Sequence, residues 1–205
     1  MFIESFDRSC LQLHSESRFT AFTIGHSTRS LKEFVSILKA YDVRVIVDVR
    51  TVPRSLHNPQ FNKETLPDSL KAQGIRYTHM PELGGLRRPR PDSANLAWKN
   101  KSFRGYADYM QTKEFNENLL KLVTLIQENC LAFMCAEAVP WRCHRSLIAD
   151  ALVARHIRVK NILTETTFTN HELPPFAHVD GAKVTYPLFT KEQPQMTLAD
   201  FEAKT

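Results

Sequence analysis

Residues 43–50, Val43-Arg44-Val45-Ile46-Val47-Asp48-Val49-Arg50, are the stretch most informative about the fold. From Val43 to Val49 the residues are nearly all apolar and β-branched, which is typical of a strand buried on both faces of a parallel sheet. The stretch closes on Asp48 and Arg50, so charged groups follow directly where the predicted strand ends.

Predicted helices and strands alternate on both sides of this strand. Upstream, Thr20 to Ile24 favours a short strand, and Leu31, Phe34, Val35 and Leu38 form one stripe of a helix. Downstream, the patterns predict strands over 75–80, 131–135 and 157–163 and helices over 65–73, 103–112, 114–128 and 144–156. Later still, they indicate a strand over 183–186 and a weakly helical tail.

Such alternation implies parallel strands joined by helical crossovers. We therefore predict an α/β fold: an open, mostly parallel sheet flanked by helices on both faces, in a single domain. An eight-fold barrel typically needs about 250 residues, and the chain has 205. The predicted domain covers 19–165, with an N-terminal extension over 1–18 and a C-terminal segment over 166–205 that packs on the domain or trails from it.

The composition narrows the class of protein. A hydrophobic content of 42% with 24% charged residues is that of a globular protein. The sequence has no apolar run near the roughly 18 residues of a membrane span. Four cysteines without dense spacing favour a reducing compartment, so we expect a cytoplasmic protein without a membrane partner. The net charge of +5 favours an anionic ligand, a nucleotide or nucleic acid. Neither the cofactor nor the oligomeric state is indicated.

Reactive side chains follow four of the predicted strands. Ligands of open parallel sheets bind at the carboxyl ends of the strands, so these groups should meet in one site. In chain order the groups are Gly25, His26 and Ser27; Asp48, Arg50, Arg54 and Ser55; Glu82, Gly84 and Gly85; and Cys135, Glu137, Cys143, His144 and Arg145.

The fourth group combines thiols with arginine at a predicted helix start. Free N–H groups and the helix dipole there attract anions and lower the pKa of a thiol. Cys143 or Cys135 could therefore be a nucleophile, and His144 and Arg145 could bind an anion. In the structural alternative, Cys135 is a buried apolar side chain, His144 and Ser146 cap the helix, and Arg145 pairs with Glu137.

A metal site is the competing interpretation. Cys135, Glu137, Cys143 and His144 are all possible ligands, although their spacing is not that of a zinc finger or ribbon. Because Cys143 and His144 are adjacent, we expect that they do not easily reach one ion together.

The other strand ends supply further candidates. His26 and Asp48 could act as general acid or base, with Glu137 also able to move protons, or Asp48 could only orient Arg50. Ser27, Arg50, Arg54 and Ser55 are candidate substrate-binding groups. Gly84 and Gly85 allow tight turns and close approach of a ligand. The glycine patterns of nucleoside triphosphate and dinucleotide sites do not occur in the sequence.

A basic loop lies between Gly84 and Gly105, with Trp98 and Phe103 interleaved. Such a loop could hold phosphates by charge and stack on bases, or be an ordinary solvated surface. Its basic residues are Arg87, Arg88, Arg90, Lys99, Lys101 and Arg104.

The motifs together resemble the family catalogued as domain of unknown function 488 (DUF488). The resemblance runs from about Thr23 to Leu163 and rests on residues 23–27, 47–50 with Pro53 and Ser55, 83–85, 135–137 and 143–145. It implies the α/β domain and marks these residues as the family's site, but it implies no reaction. The Cys-bearing loop before an arginine and a helix is also similar to rhodaneses and cysteine phosphatases, although the loop from Cys135 to Arg142 is longer and lacks glycine.

Three hypotheses follow from the sequence. The first is an enzyme acting on a phosphate-bearing substrate through the Cys/Glu/His/Arg site. The second is a nucleic-acid binding module that uses the basic loop, and the third is a metal-binding protein.

Overall fold

The computed structural model describes residues 19–188, and the predicted extension over 1–18 and the predicted helical tail lie outside these residues. The helices are α1 to α5 in chain order and the strands β1 to β8. The helices span Leu31–Ala40, Leu66–Lys71, Lys101–Tyr109, Lys113–Glu128 and Arg145–Val153. The strands span Thr20–Gly25, Val45–Asp48, Arg76–His79, Leu131–Cys135, Arg158–Ile162, Phe168–Asn170, His178–Asp180 and Lys183–Thr185.

Six strands form one sheet in the order β3-β2-β4-β1-β5-β6. The first five strands of the chain are parallel to their neighbours, and β6 is an antiparallel edge strand on β5. Strand β2 has all four residues buried, as its apolar composition predicts. The predicted α/β class and mostly parallel sheet are therefore confirmed.

Helices cover both faces of the sheet because successive strand residues point to opposite sides. Ile46 and Met134 pack under α1 and α2 with Phe34 and Leu70. On the other face, the strand residues pack against α3, α4 and α5 in a larger cluster that includes Val47. The chain turns back across the sheet after β3, since β4 inserts between β2 and β1.

Hydrogen bonds at the helix starts agree with the local sequence. Ser30 caps α1 by accepting a hydrogen bond from the backbone N–H of Glu33, as serine at this position commonly does.

The last described residues add the β7–β8 hairpin, and Tyr186 buries its ring and donates its hydroxyl to Asp150 Oδ2 at 2.6 Å. No helix within residues 19–188 has the length and apolar character to cross a membrane.

Candidate functional site

A cavity of about 360 Å³ opens at the carboxyl ends of the neighbouring strands β2 and β4. The loop after β3 forms part of its wall, so three of the four predicted strand ends meet there. This is the edge at which open parallel sheets bind ligands. The predicted site residues that line the cavity are Arg50, Gly85, Cys135, Glu137, Cys143 and His144.

Two thiols and an imidazole face each other in the wall of this cavity. The ligand atoms of Cys135, Cys143 and His144 all lie within 4.8 Å of one another, and Cys143 Sγ is 3.6 Å from His144 Nδ1. Both cysteines are more than nine-tenths buried yet line the cavity. The expectation that Cys143 and His144 could not easily reach one ion together is wrong, because the main chain turns just before α5 and leaves the sulfur and the ring nitrogen close to each other.

His144 is held in one orientation by the loops after β2 and β3. Its Nε2 lies 3.1 Å from the backbone oxygen of Val49. Since a carbonyl only accepts, Nε2 carries the proton and Nδ1 presents a lone pair toward Cys143. A Cβ at Gly85 would lie 2.8 Å from His144 Cγ, so the imidazole fits only because residue 85 is glycine. His144 makes no helix-capping hydrogen bond within the described structure.

The surroundings make Cys143 the thiolate of the pair. Hydrogen bonding from the Cys135 thiol, followed by the charge and backbone N–H of Arg145, lowers the pKa of Cys143 from 9.0 to about 6. The same coupling to Cys143, together with burial, raises the pKa of Cys135 to about 12. Near neutral pH the site therefore holds one thiolate beside one thiol.

Arg145 is buried behind the cavity wall, with 1% of its surface exposed, and its hydrogen bonds hold the neighbouring main chain in place. It donates to Thr23 Oγ1 at 2.6 Å and to the backbone oxygen of Glu137 at 2.5 Å. The predicted partner is thus the main chain of Glu137, whose exposed side chain lies at the cavity. A Cβ at Gly25 would overlap that same Glu137 carbonyl.

A buried polar layer under the cavity fixes Arg50. Its guanidinium bonds both carboxylate oxygens of Asp48, at 2.9 and 2.6 Å, and the backbone oxygen of Phe61 at 2.7 Å. Arg50 Nη1 lies 3.1 Å from His26 Nε2, and His26 Nδ1 lies 2.8 Å from the oxygen of Ser27. With both ring nitrogens bonded and burial lowering its pKa to about 4, His26 is neutral. These contacts favour positioning roles for His26 and Asp48.

Several side chains of the basic loop are held by contacts within the protein. Arg87 lies 3.5 Å over the Tyr109 ring and bonds two backbone oxygens, and Arg90 pairs with Asp92. Trp98 stacks on Phe103 at 4.8 Å and packs against the core. Trp98 is thus engaged internally and Phe103 lines the cavity, while Arg88, Lys99 and Lys101 are exposed. Nucleic-acid binding by this loop stays a prediction.

Residues 30–152 match a family model described as domain of unknown function DUF488. The match covers more than half of the chain. The chain belongs to the DUF488 family. Comparison with curated proteins and with solved structures gives no match.

The DUF488 match includes the cavity residues from β2, β3 and β4, but residues 23–27 precede it. Of the other predicted site residues, Gly84 packs against Thr51, and Ser55 forms a turn with Asn58 and Asn62. Ser27 and Arg54 do not line the cavity of the described structure.

Several residues of the DUF488 cavity were absent from the predicted site. Most of them have side chains without acid, base or nucleophilic groups, so no motif marked them. Ser102 and Phe103 lie on α3, which does not directly follow a strand, so the pattern of strand ends does not include them. The residues missed in this way are Thr51, Val52, Leu86, Ser102 and Ala136, whereas the sequence places Phe103 in the basic loop and Arg142 beside the Cys143 thiol. Among the lining residues, the exposed Arg142 and the 80%-exposed Leu86 give the cavity both charged and apolar lining.

Proposed function

We propose that this DUF488 protein is a cysteine-dependent enzyme that acts on a small phosphate-bearing substrate, with Cys143 as nucleophile. The observation that carries the proposal is the Cys143–His144 pair, 3.6 Å apart, in the wall of a cavity of about 360 Å³. Ligand sites typically have volumes of about 300–1,000 Å³. A thiol next to an oriented imidazole is a recurring form of activated nucleophile.

The surrounding residues supply the remaining roles. Arg142 is exposed, lines the cavity and attracts the substrate anion, whereas the charge of Arg50 in the cavity wall is already paired with Asp48. The Cys143 thiolate attacks phosphorus, a sulfur–phosphorus bond forms, and the bond to the leaving-group oxygen breaks. The thiol proton of Cys143 has moved to His144 Nδ1, 3.6 Å away, and the resulting imidazolium gives it to that oxygen, with Glu137 at the cavity as the alternative proton donor. A water molecule, deprotonated by the same group, then displaces the sulfur and releases phosphate and the thiolate.

The proposal is tested by alkylation and activity measurements on the full chain. We expect iodoacetamide to modify Cys143 at neutral pH far faster than Cys130, which is half-buried and whose thiol donates to the Tyr41 carbonyl. A panel of phosphate monoesters and nucleotides then screens for hydrolysis. Cys143→Ser should abolish any activity found, while Cys130→Ser, the matched control, should leave it intact. An active Cys143→Ser variant would overturn the proposal.

A zinc site is the second candidate, and one distance favours it. With Zn–S of about 2.3 Å and Zn–N of about 2.0–2.1 Å, tetrahedral geometry places S and N about 3.6 Å apart. Cys143 Sγ and His144 Nδ1 have this separation, and Cys135 would be the third ligand. His144 Nε2 already donates to a carbonyl, as the second nitrogen of a ligating histidine commonly does.

Elemental analysis of protein purified without an affinity tag separates the two candidates. Stoichiometric zinc, lost on chelation together with thermal stability, would establish the metal site. Metal-free protein with a reactive Cys143 would support the thiolate enzyme.

A further inference from the structure

The two cavity cysteines form an unequal pair. Cys143 Sγ lies 3.6 Å from the imidazole of His144, and Cys135 lies beside it. Their sulfur atoms lie within 4.8 Å, and both line the same cavity. We infer that this pair is a site of reversible oxidation, in which a hydroperoxide oxidises Cys143 and Cys135 closes a disulfide with it. The inference rests on the proposed role of Cys143 as nucleophile.

The chain allows the sulfur atoms to meet. Cys135 is the last residue of β4, and Cys143 lies two residues before α5 begins at Arg145, so each cysteine flanks the segment over 136–142. Disulfide formation requires a sulfur separation of about 2.05 Å. The side chains of residues 136–138 are exposed, but Ser27 and Arg145 hold the main-chain oxygens of Ala136 and Glu137, so the remaining approach falls mainly on the two cysteine side chains.

The remaining cysteine of residues 19–188 is poorly placed to compete. Cys130 precedes β4, at the opposite end of the strand from Cys135. Five residues of strand separate them by roughly 16 Å. Burial raises the pKa of Cys130, which also keeps it protonated. The geometry therefore selects Cys135 as the partner of an oxidised Cys143.

The chemistry balances in two steps. The Cys143 thiolate attacks one oxygen of the hydroperoxide, the O–O bond breaks, and an alcohol or water leaves after taking a proton, so that Cys143 becomes a sulfenic acid. The Cys135 sulfur then attacks the sulfenic sulfur, the S–S bond forms, the S–O bond breaks, and water leaves with the thiol proton. Two thiols are oxidised and one peroxide is reduced. The nucleophile is thereby masked in a form that a reducing thiol restores.

The experiment treats the full chain with stoichiometric hydrogen peroxide, followed by intact mass measurement and peptide mapping without reduction. We expect a loss of about 2 Da, a peptide crosslink between Cys135 and Cys143, and restoration of Cys143 alkylation by dithiothreitol. Cys135→Ser should instead accumulate a dimedone-reactive sulfenic acid at Cys143 and then sulfinic acid, while Cys130→Ser should form the crosslink normally.

Two failures remain distinguishable. Slow alkylation of untreated Cys143 at neutral pH contradicts the thiolate, and with it the proposed function. Rapid alkylation of untreated Cys143, combined with sulfinic acid at Cys143 and no crosslink after peroxide treatment of the chain without substitutions, contradicts this inference alone. Because the protein without substitutions decides the outcome, a Cys135→Ser variant that fails to fold does not affect the test.

Discussion

Gly85→Ala is the substitution that best tests the role of His144. The added Cβ would overlap His144 Nδ1 and lie 2.8 Å from His144 Cγ, whereas ordinary contact begins at 3.4 Å, so the ring must move by more than 0.6 Å. His144 Nε2 donates to the Val49 carbonyl oxygen at 3.1 Å, and we expect the movement of the ring to break this hydrogen bond. Losing that bond costs about 1 kcal/mol.

The displaced imidazole also loses its alignment with Cys143, 3.6 Å away. Misplacement by about 1 Å can reduce an enzymatic rate by up to about a hundredfold. We therefore expect Gly85→Ala to reduce turnover of any substrate found by about ten- to a hundredfold, with destabilisation of about 1–3 kcal/mol from overpacking. Turnover and chemical denaturation are measured on the same preparation.

Gly181→Ala is the matched control. It makes the same chemical change in the β7–β8 turn, where a left-handed φ of 57° strains alanine but a Cβ meets no atom within 4 Å. It should lose stability without losing turnover. In a double-mutant cycle, Gly85→Ala should have little further effect once His144→Ala is present. Full turnover in Gly85→Ala, or additive losses in the cycle, would refute this account of His144.

Two further predictions concern the thiolate and the layer beneath it. In metal-free protein, the alkylation rate of Cys143 should rise through pH about 6 and level off near neutrality, because its pKa is lowered from 9.0 and the thiolate is the reactive form. Cys130 should react appreciably only above pH 9. Coincident pH profiles of the two cysteines would contradict the assignment of Cys143 as the thiolate. Asp48→Asn should destabilise the fold by about 3–5 kcal/mol in urea titrations, since it leaves the buried charge of Arg50 unpaired. Asp92→Asn, in the exposed ion pair with Arg90, should have little effect. Equal effects of the two substitutions would show that burial of the ion pair does not matter.

Residues with strong local patterns were predictable. The apolar run around Val47 gave β2, and the periodic apolar residues of 114–128 gave α4, whose bounds are Lys113–Glu128. The short edge strands β6 and β7 were missed because their residues are exposed and carry no alternating pattern. Their pairing depends on β5 and on the hairpin partner rather than on their own sequence.

The sequence by itself determined the alternation of strands and helices from β1 to β5 and the family, and it placed three of the four predicted groups of reactive residues at the cavity. Local periodicity and the direction of parallel strands suffice for that. Only the tertiary structure decided what each side chain does there. Arg145 is tied to Thr23, 122 residues away, and His144 to Val49, 95 residues away. These hydrogen bonds join residues far apart in the chain, so the orientation of an imidazole or guanidinium is set by packing that no local pattern encodes.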